Sequence, residues 1–165
     1  MLALRYVYVL ALVVWLGGMI VLGALIAPTT FQVLQAAAPD TGRVLAGELF
    51  GVILARFHYL AYGAGGLLFV TLAAMAILGP RPPAFAVRMA IITLMLAIAV
   101  YSGVSVLAEI GQIQQAAGTL PSQLAAGNPL RIRFDQLHQL STRLMSINIV
   151  AALALLYWEA REQAR

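Results

Sequence analysis

The stretch YVYVLALVVWLGGMIVLGALIA, residues 6–27, decides the fold. It carries no charged side chain and stops at Pro28. About 20 consecutive apolar residues let an α-helix cross the roughly 30 Å hydrocarbon core of a bilayer. The stretch is too long for the apolar core of a secretory signal, and its exit ALIAPTT (24–30) is a poor cleavage site. It therefore reads as a retained transmembrane helix.

The same pattern recurs three times. Apolar spans cover about 5–27, 50–79, 86–109 and 137–158, which predicts one four-transmembrane-helix domain. The second ends at the breaker GPRPP (79–83), and the fourth closes on Tyr157 and Trp158, an interfacial aromatic pair. Composition agrees. The 165 residues are 62% hydrophobic and only 10% charged, with a mean hydropathy of +0.93, where a soluble domain is near half apolar. The expected class is an all-α integral membrane protein, an up-down-up-down four-helix bundle with a short helical cap on one side.

The connections refine this picture. Asp40 or Thr41 is a candidate N-cap, so the second helix should begin near Gly42 and project beyond the bilayer. The region 110–136 is broken by Gly118, Pro121, Gly127 and Pro129 and is the expected cap. Gly17, Gly18, Gly23, Ala61, Gly65 and Gly66 supply small surfaces for close helix contact. No internal repeat stands out.

All ten basic residues are arginine, against six acids, for a net charge of +4. They cluster at helix ends, where they act as topology and headgroup signals rather than as a nucleic-acid footprint. At or beyond the span ends, Arg5, Arg81, Arg88, Arg161 and Arg165 flank one end, and Arg43, Arg131 and Arg133 the other. That balance predicts both termini in the cytoplasm and the protein in the inner membrane. The absence of cysteine excludes disulfides and thiolate chemistry. No acid–base–nucleophile arrangement, phosphate loop or dinucleotide fingerprint is present.

Polar residues gather at the end opposite the termini. His58 and His138 start the second and fourth spans and are expected at similar depth, with Arg56, Glu109, Asp135 and Arg143 at the same level. Groups of this kind inside a bundle usually face its interior, which makes them site candidates. His138, Ser141, Met145 and Asn148 recur at three and four residues and suggest a polar stripe on one face. Tyr101 and Ser102 of the third span could add hydroxyls. The opposite end holds only flanking charges on this reading.

Two cofactors are compatible with that set. Haem b could sit between His58 and His138, with Arg56 or Arg143 meeting its propionates and Ser141 and Asn148 lining the pocket. It would serve electron transfer or membrane redox chemistry. A copper or zinc ion could instead use His58, His138 and Glu109, helped by Met145 or Met19. A lipid or quinone pocket, and an accessory role in a larger membrane complex or a homo-oligomer, are the remaining expectations. A purely structural account also holds, with Asp135 at a helix start and Arg56 and Arg143 snorkelling to the headgroups.

The first-helix run WLGGMIVLGALIAPTTFQVL (15–34), the segment GELFGVILARFHYL (47–60), and Phe134, Leu137, His138, Ser141 and Asn148 form a set. Together they resemble uncharacterised bacterial four-span membrane proteins related to eukaryotic transmembrane protein 205. That resemblance implies a four-span fold and a connection with metal-drug resistance. A more distant similarity, mainly in the first helix, is to copper-resistance D-type proteins and to the haem-binding oxidase of haem biosynthesis. The chain departs from both. It lacks the histidine and methionine richness of a copper exporter and the first-helix histidine of the oxidase.

Overall fold

The computed structural model describes residues 1–118 and 121–163, and all regular elements among them are helical. Four long helices carry the chain: α1 (Leu2–Ala37), α2 (Gly42–Leu78), α3 (Phe85–Ala117) and α4 (Pro129–Gln163). All four are long and apolar enough to cross a membrane. Each packs against its neighbour in the chain, and α4 closes the ring on α1. Thus α1 faces α3, and α2 faces α4, across the bundle axis.

The helices outrun the spans that hydropathy marks. At 1.5 Å per residue, 33 to 37 residues make about 50–55 Å, well beyond a hydrocarbon core of roughly 30 Å. The surplus lies at the end away from the termini, in APTTFQVLQAA (27–37) and LAEIGQIQQAA (107–117), which carry glutamines and Glu109. The cap on that side is therefore built from helix extensions. Only the corner 118–128 is left for a separate turn, Pro121–Gln123. Residues 119 and 120 of that corner lie outside the described residues, as does Arg165.

Glycine and proline set the corners. Gly118 ends α3 in the left-handed conformation, φ 61°, which costs glycine little. Gly42 opens α2 against the Leu34 backbone so closely that a β-carbon would overlap that carbonyl. Its N–H bonds the Ala38 carbonyl at 2.6 Å. α2 ends at Gly79, before Pro80, which has no N–H to continue a helix.

One buried face recurs on three helices at spacings of four, three and four. It is Tyr8, Leu12, Trp15, Met19 on α1; Arg88, Ile92, Met95, Ala99 on α3; and Asn148, Ala152, Leu155, Glu159 on α4. α2 adds Ala61, Ala64, Leu68 and Leu72. Leu67, Val70, Leu94, Val150 and Leu153 point outward, as lipid-facing residues do. In lipid, helix association depends on close packing rather than on apolar burial from water. Gly18 accordingly receives the Phe57 ring, and Gly65 receives Leu96 and Trp15. Gly17 and Gly66 meet nothing within 4 Å, so only part of the expected small-residue set makes interhelical contact.

Two π-turns interrupt the regular helices, Leu22–Ile26 in α1 and Ser102–Val106 in α3. The first directly precedes Pro28, whose ring and missing N–H disturb the preceding turn and are accommodated by its widening. Each turn contains one glycine packed on an adjacent helix. Gly23 lies against Met145, whose Cε is 2.7 Å from where a β-carbon would sit. Gly103 lies against His58 and Tyr62, with His58 Cδ2 2.6 Å from the corresponding point. The same joint occurs in both halves of the chain, although the sequence shows no repeat.

Candidate functional site

His58 is buried, at 9% exposure. Its Nδ1 lies 2.8 Å from the Leu54 carbonyl oxygen one turn earlier. A carbonyl can only accept, so Nδ1 is the donor, and the neutral form of the ring carries its lone pair on Nε2. The following turn brings Tyr62, whose hydroxyl donates to the Ala99 carbonyl at 3.4 Å. The Tyr62 ring stands 6.1 Å from that of His58.

Asn148 reaches the same level from α4. It is 4% exposed, and its Nδ2 donates to the Met95 carbonyl at 3.3 Å. That bond fixes the amide orientation, because the opposite one would set two oxygens against each other. Its Oδ1 is buried without a protein partner. Such an atom costs about 1–3 kcal/mol unless something satisfies it.

A cavity of about 40 Å³ joins these groups. It is lined by Trp15 and Met19 of α1, by Leu54, Phe57, His58 and Ala61 of α2, and by Ile98, Ala99 and Ser102 of α3. From α4 come Ser141, Leu144, Met145 and Asn148. It combines one imidazole, two thioethers, two hydroxyls and one amide oxygen inside an apolar shell. The space suits a single ion or one or two water molecules.

The other predicted residues lie elsewhere. His138 is exposed, stacked on Phe134 with ring centroids 6.1 Å apart, one turn beyond Ser141, and it does not line the cavity. Arg56, Asp135 and Arg143 are also exposed. Glu109 takes two hydrogen bonds from Arg133, at 2.6 and 3.0 Å, on the surface. Tyr101 is half exposed.

A haem between His58 and His138 does not fit this arrangement. One imidazole is outside the cavity, and 40 Å³ is far below the few hundred Å³ of a cofactor pocket. The carboxylate-assisted metal set of His58, His138 and Glu109 is not assembled either, and among the described residues no three His, Asp or Glu side chains gather around one point. Ser141, Asn148, Met19 and Met145 do share the cavity with His58.

The end that holds the termini is far from ordinary. Arg88 of α3 is 1% exposed and Glu159 of α4 is 3% exposed. They pair at 2.8 Å, and Arg88 also reaches Glu162 at 2.8 Å. Arg5 of α1 pairs with Glu159 as well, and with Glu162 at 3.5 Å. The Arg88 guanidinium lies over the Tyr8 ring, 4.9 Å from its centroid. Two arginines and two glutamates thus bind three helices together. The expectation that this end carries only flanking charges is corrected here: Arg5 and Arg88 are internal ion-pair partners.

No family model, curated protein or solved structure matches the chain.

Proposed function

We propose that this is a copper-handling membrane protein that holds a single Cu(I) ion in the bundle, between His58, Met19 and Met145. One observation carries the reading: the only buried histidine among the described residues, with the neutral ring's lone pair on Nε2, shares a 40 Å³ cavity with two methionines. Thioethers and imidazole are the neutral, soft donors that select Cu(I). Zn(II) favours thiolate, imidazole and carboxylate in a tetrahedral set, whereas no carboxylate lines this cavity and Glu109 is committed to Arg133. The unpartnered Asn148 Oδ1 lends negative potential to the same space and lowers the cost of a buried cation. The Nδ1 bond to Leu54 holds the ring as an outer-shell partner does in metal sites. An inner-membrane location with both termini cytoplasmic rests on the exposed Arg81 and Arg161 at that end, since Arg5 and Arg88 are taken up by internal ion pairs.

The test is anaerobic titration of the detergent-purified chain with Cu(I) against a chromogenic Cu(I) chelator. The expected result is one ion per chain. In the double variant Met19→Leu, Met145→Leu, which conserves volume, affinity should fall by at least the roughly 10- to 100-fold that loss of an outer-shell group costs. Unchanged binding in that variant, or no Cu(I) held above the detergent blank, would overturn the proposal.

A further inference from the structure

A second, larger cavity of about 430 Å³ opens at the end that holds the termini. Its polar lining is Arg5, Arg81, Arg88, Glu159 and Glu162, and the 80–83 connection supplies three prolines to its wall. The two carboxylates are taken up by Arg5 and Arg88. That leaves Arg81 as the lining cation with no carboxylate partner among the described residues. Its guanidinium is held over the Phe85 ring, 5.3 Å from the centroid, rather than by an acid. Among the lining side chains, Arg81 is therefore the one positive charge left without a carboxylate, on a partly apolar wall.

Its surroundings indicate what would occupy it. Leu2, on the rim, is 85% exposed, and Ile77 and Leu78 at the end of α2 are 81% and 69% exposed. Leu2 and Ile77 are the most exposed large apolar side chains on the described protein surface. A cationic cavity at the edge of the hydrocarbon layer, beside unpaired apolar side chains, matches an amphiphile with an anionic head. Basic pockets at helix ends on the cytoplasmic side bind phospholipid headgroups in this manner.

We infer that the cavity is a site for an anionic phospholipid, its phosphate facing Arg81 and the outer side of Arg5, and its acyl chains lying along Leu2, Ile77 and Leu78. The ion-paired Arg88, Glu159 and Glu162 form the floor. This inference is independent of the copper reading.

The experiment is native mass spectrometry of the full chain extracted from vesicles of equal parts phosphatidylglycerol and phosphatidylcholine. Phosphatidylglycerol should be retained roughly fivefold over phosphatidylcholine, the preference one basic residue near the surface provides. Arg81→Gln should abolish that preference. Arg161→Gln, which removes an exposed arginine of the same end outside the cavity, should preserve it. Equal retention of both lipids by the natural chain would overturn the inference. So would an undiminished preference in Arg81→Gln, or an equal loss in Arg161→Gln. Displacement of the lipid by millimolar inorganic phosphate would assign the cavity to the free anion and would also overturn it.

Discussion

Replacing Glu159 by glutamine is expected to destabilise the protein by about 3–5 kcal/mol, the usual cost of removing one partner from a buried ion pair. The glutamate is 3% exposed and sits between Arg88, which is 1% exposed, and Arg5. Its carboxylate is the only one fully enclosed with Arg88, since Glu162 is 21% exposed. Without it, a guanidinium at the junction of three helices keeps its charge and loses the more enclosed of its two anions. The double variant Arg88→Met, Glu159→Leu should recover much of the loss, because apolar residues of similar volume often replace a buried pair without net cost. The same chemistry at the other end gives a contrast. Glu109→Gln breaks the surface pair with Arg133, in which both side chains are well exposed, and should leave the unfolding midpoint unchanged. Thermal unfolding of the four proteins in one detergent is the measurement. A Glu159→Gln midpoint equal to that of the natural chain would show that the network does not hold the bundle together.

Gly103→Ala is the second large effect expected. A β-carbon there would overlap the Tyr62 hydroxyl and come within 2.6 Å of His58 Cδ2. The imidazole cannot withdraw freely, since Leu54 holds its Nδ1. Overpacking of this kind costs about 1–3 kcal/mol. The displaced ring should also weaken Cu(I) binding by roughly 10- to 100-fold, as disturbing a ligand's support does. Gly111→Ala on the same helix meets nothing within 4 Å. It should be neutral or slightly stabilising, since alanine is the better helix former by about 1 kcal/mol. If both variants unfold and bind Cu(I) like the natural chain, the contact between Gly103 and His58 has no functional weight.

Hydropathy made the four helices legible, because the solvent demands long uncharged stretches wherever it is lipid. It could not mark their ends, since hydropathy changes at the edge of the hydrocarbon and not where the helix stops. α3 continues through LAEIGQIQQAA to Gly118, well past that edge. Of the candidate site, His58 and Asn148 were identifiable as polar residues in apolar surroundings, and both are buried. The phase of His138 was misjudged by a stripe that drifts. Ten residues at about 100° each leave His138 about 80° around the helix from Asn148, which brings it to the exposed face. The glycine receiving His58 is Gly103 of α3, a tertiary fact no local pattern contains.

The Arg88–Glu159 pair had a usable signal that charge counting hid. Arg88 stands four, seven and eleven residues before Ile92, Met95 and Ala99, and Glu159 stands four, seven and eleven after Leu155, Ala152 and Asn148. A charge in register with a buried face needs a partner, whereas a charge at a helix end out of register needs only water.

The paired π-turns have a mechanical consequence. Gly23 bears on Met145 and Gly103 bears on His58, so two of the three proposed donors are each clamped by a joint in a helix other than their own. The two joints belong to α1 and α3, which stand opposite each other across the axis. A grip divided in this way needs only one jaw to slacken. Straightening either turn would withdraw support from one of the two residues, His58 or Met145, that would hold the ion, while the ion pairs at the far end keep the bundle closed.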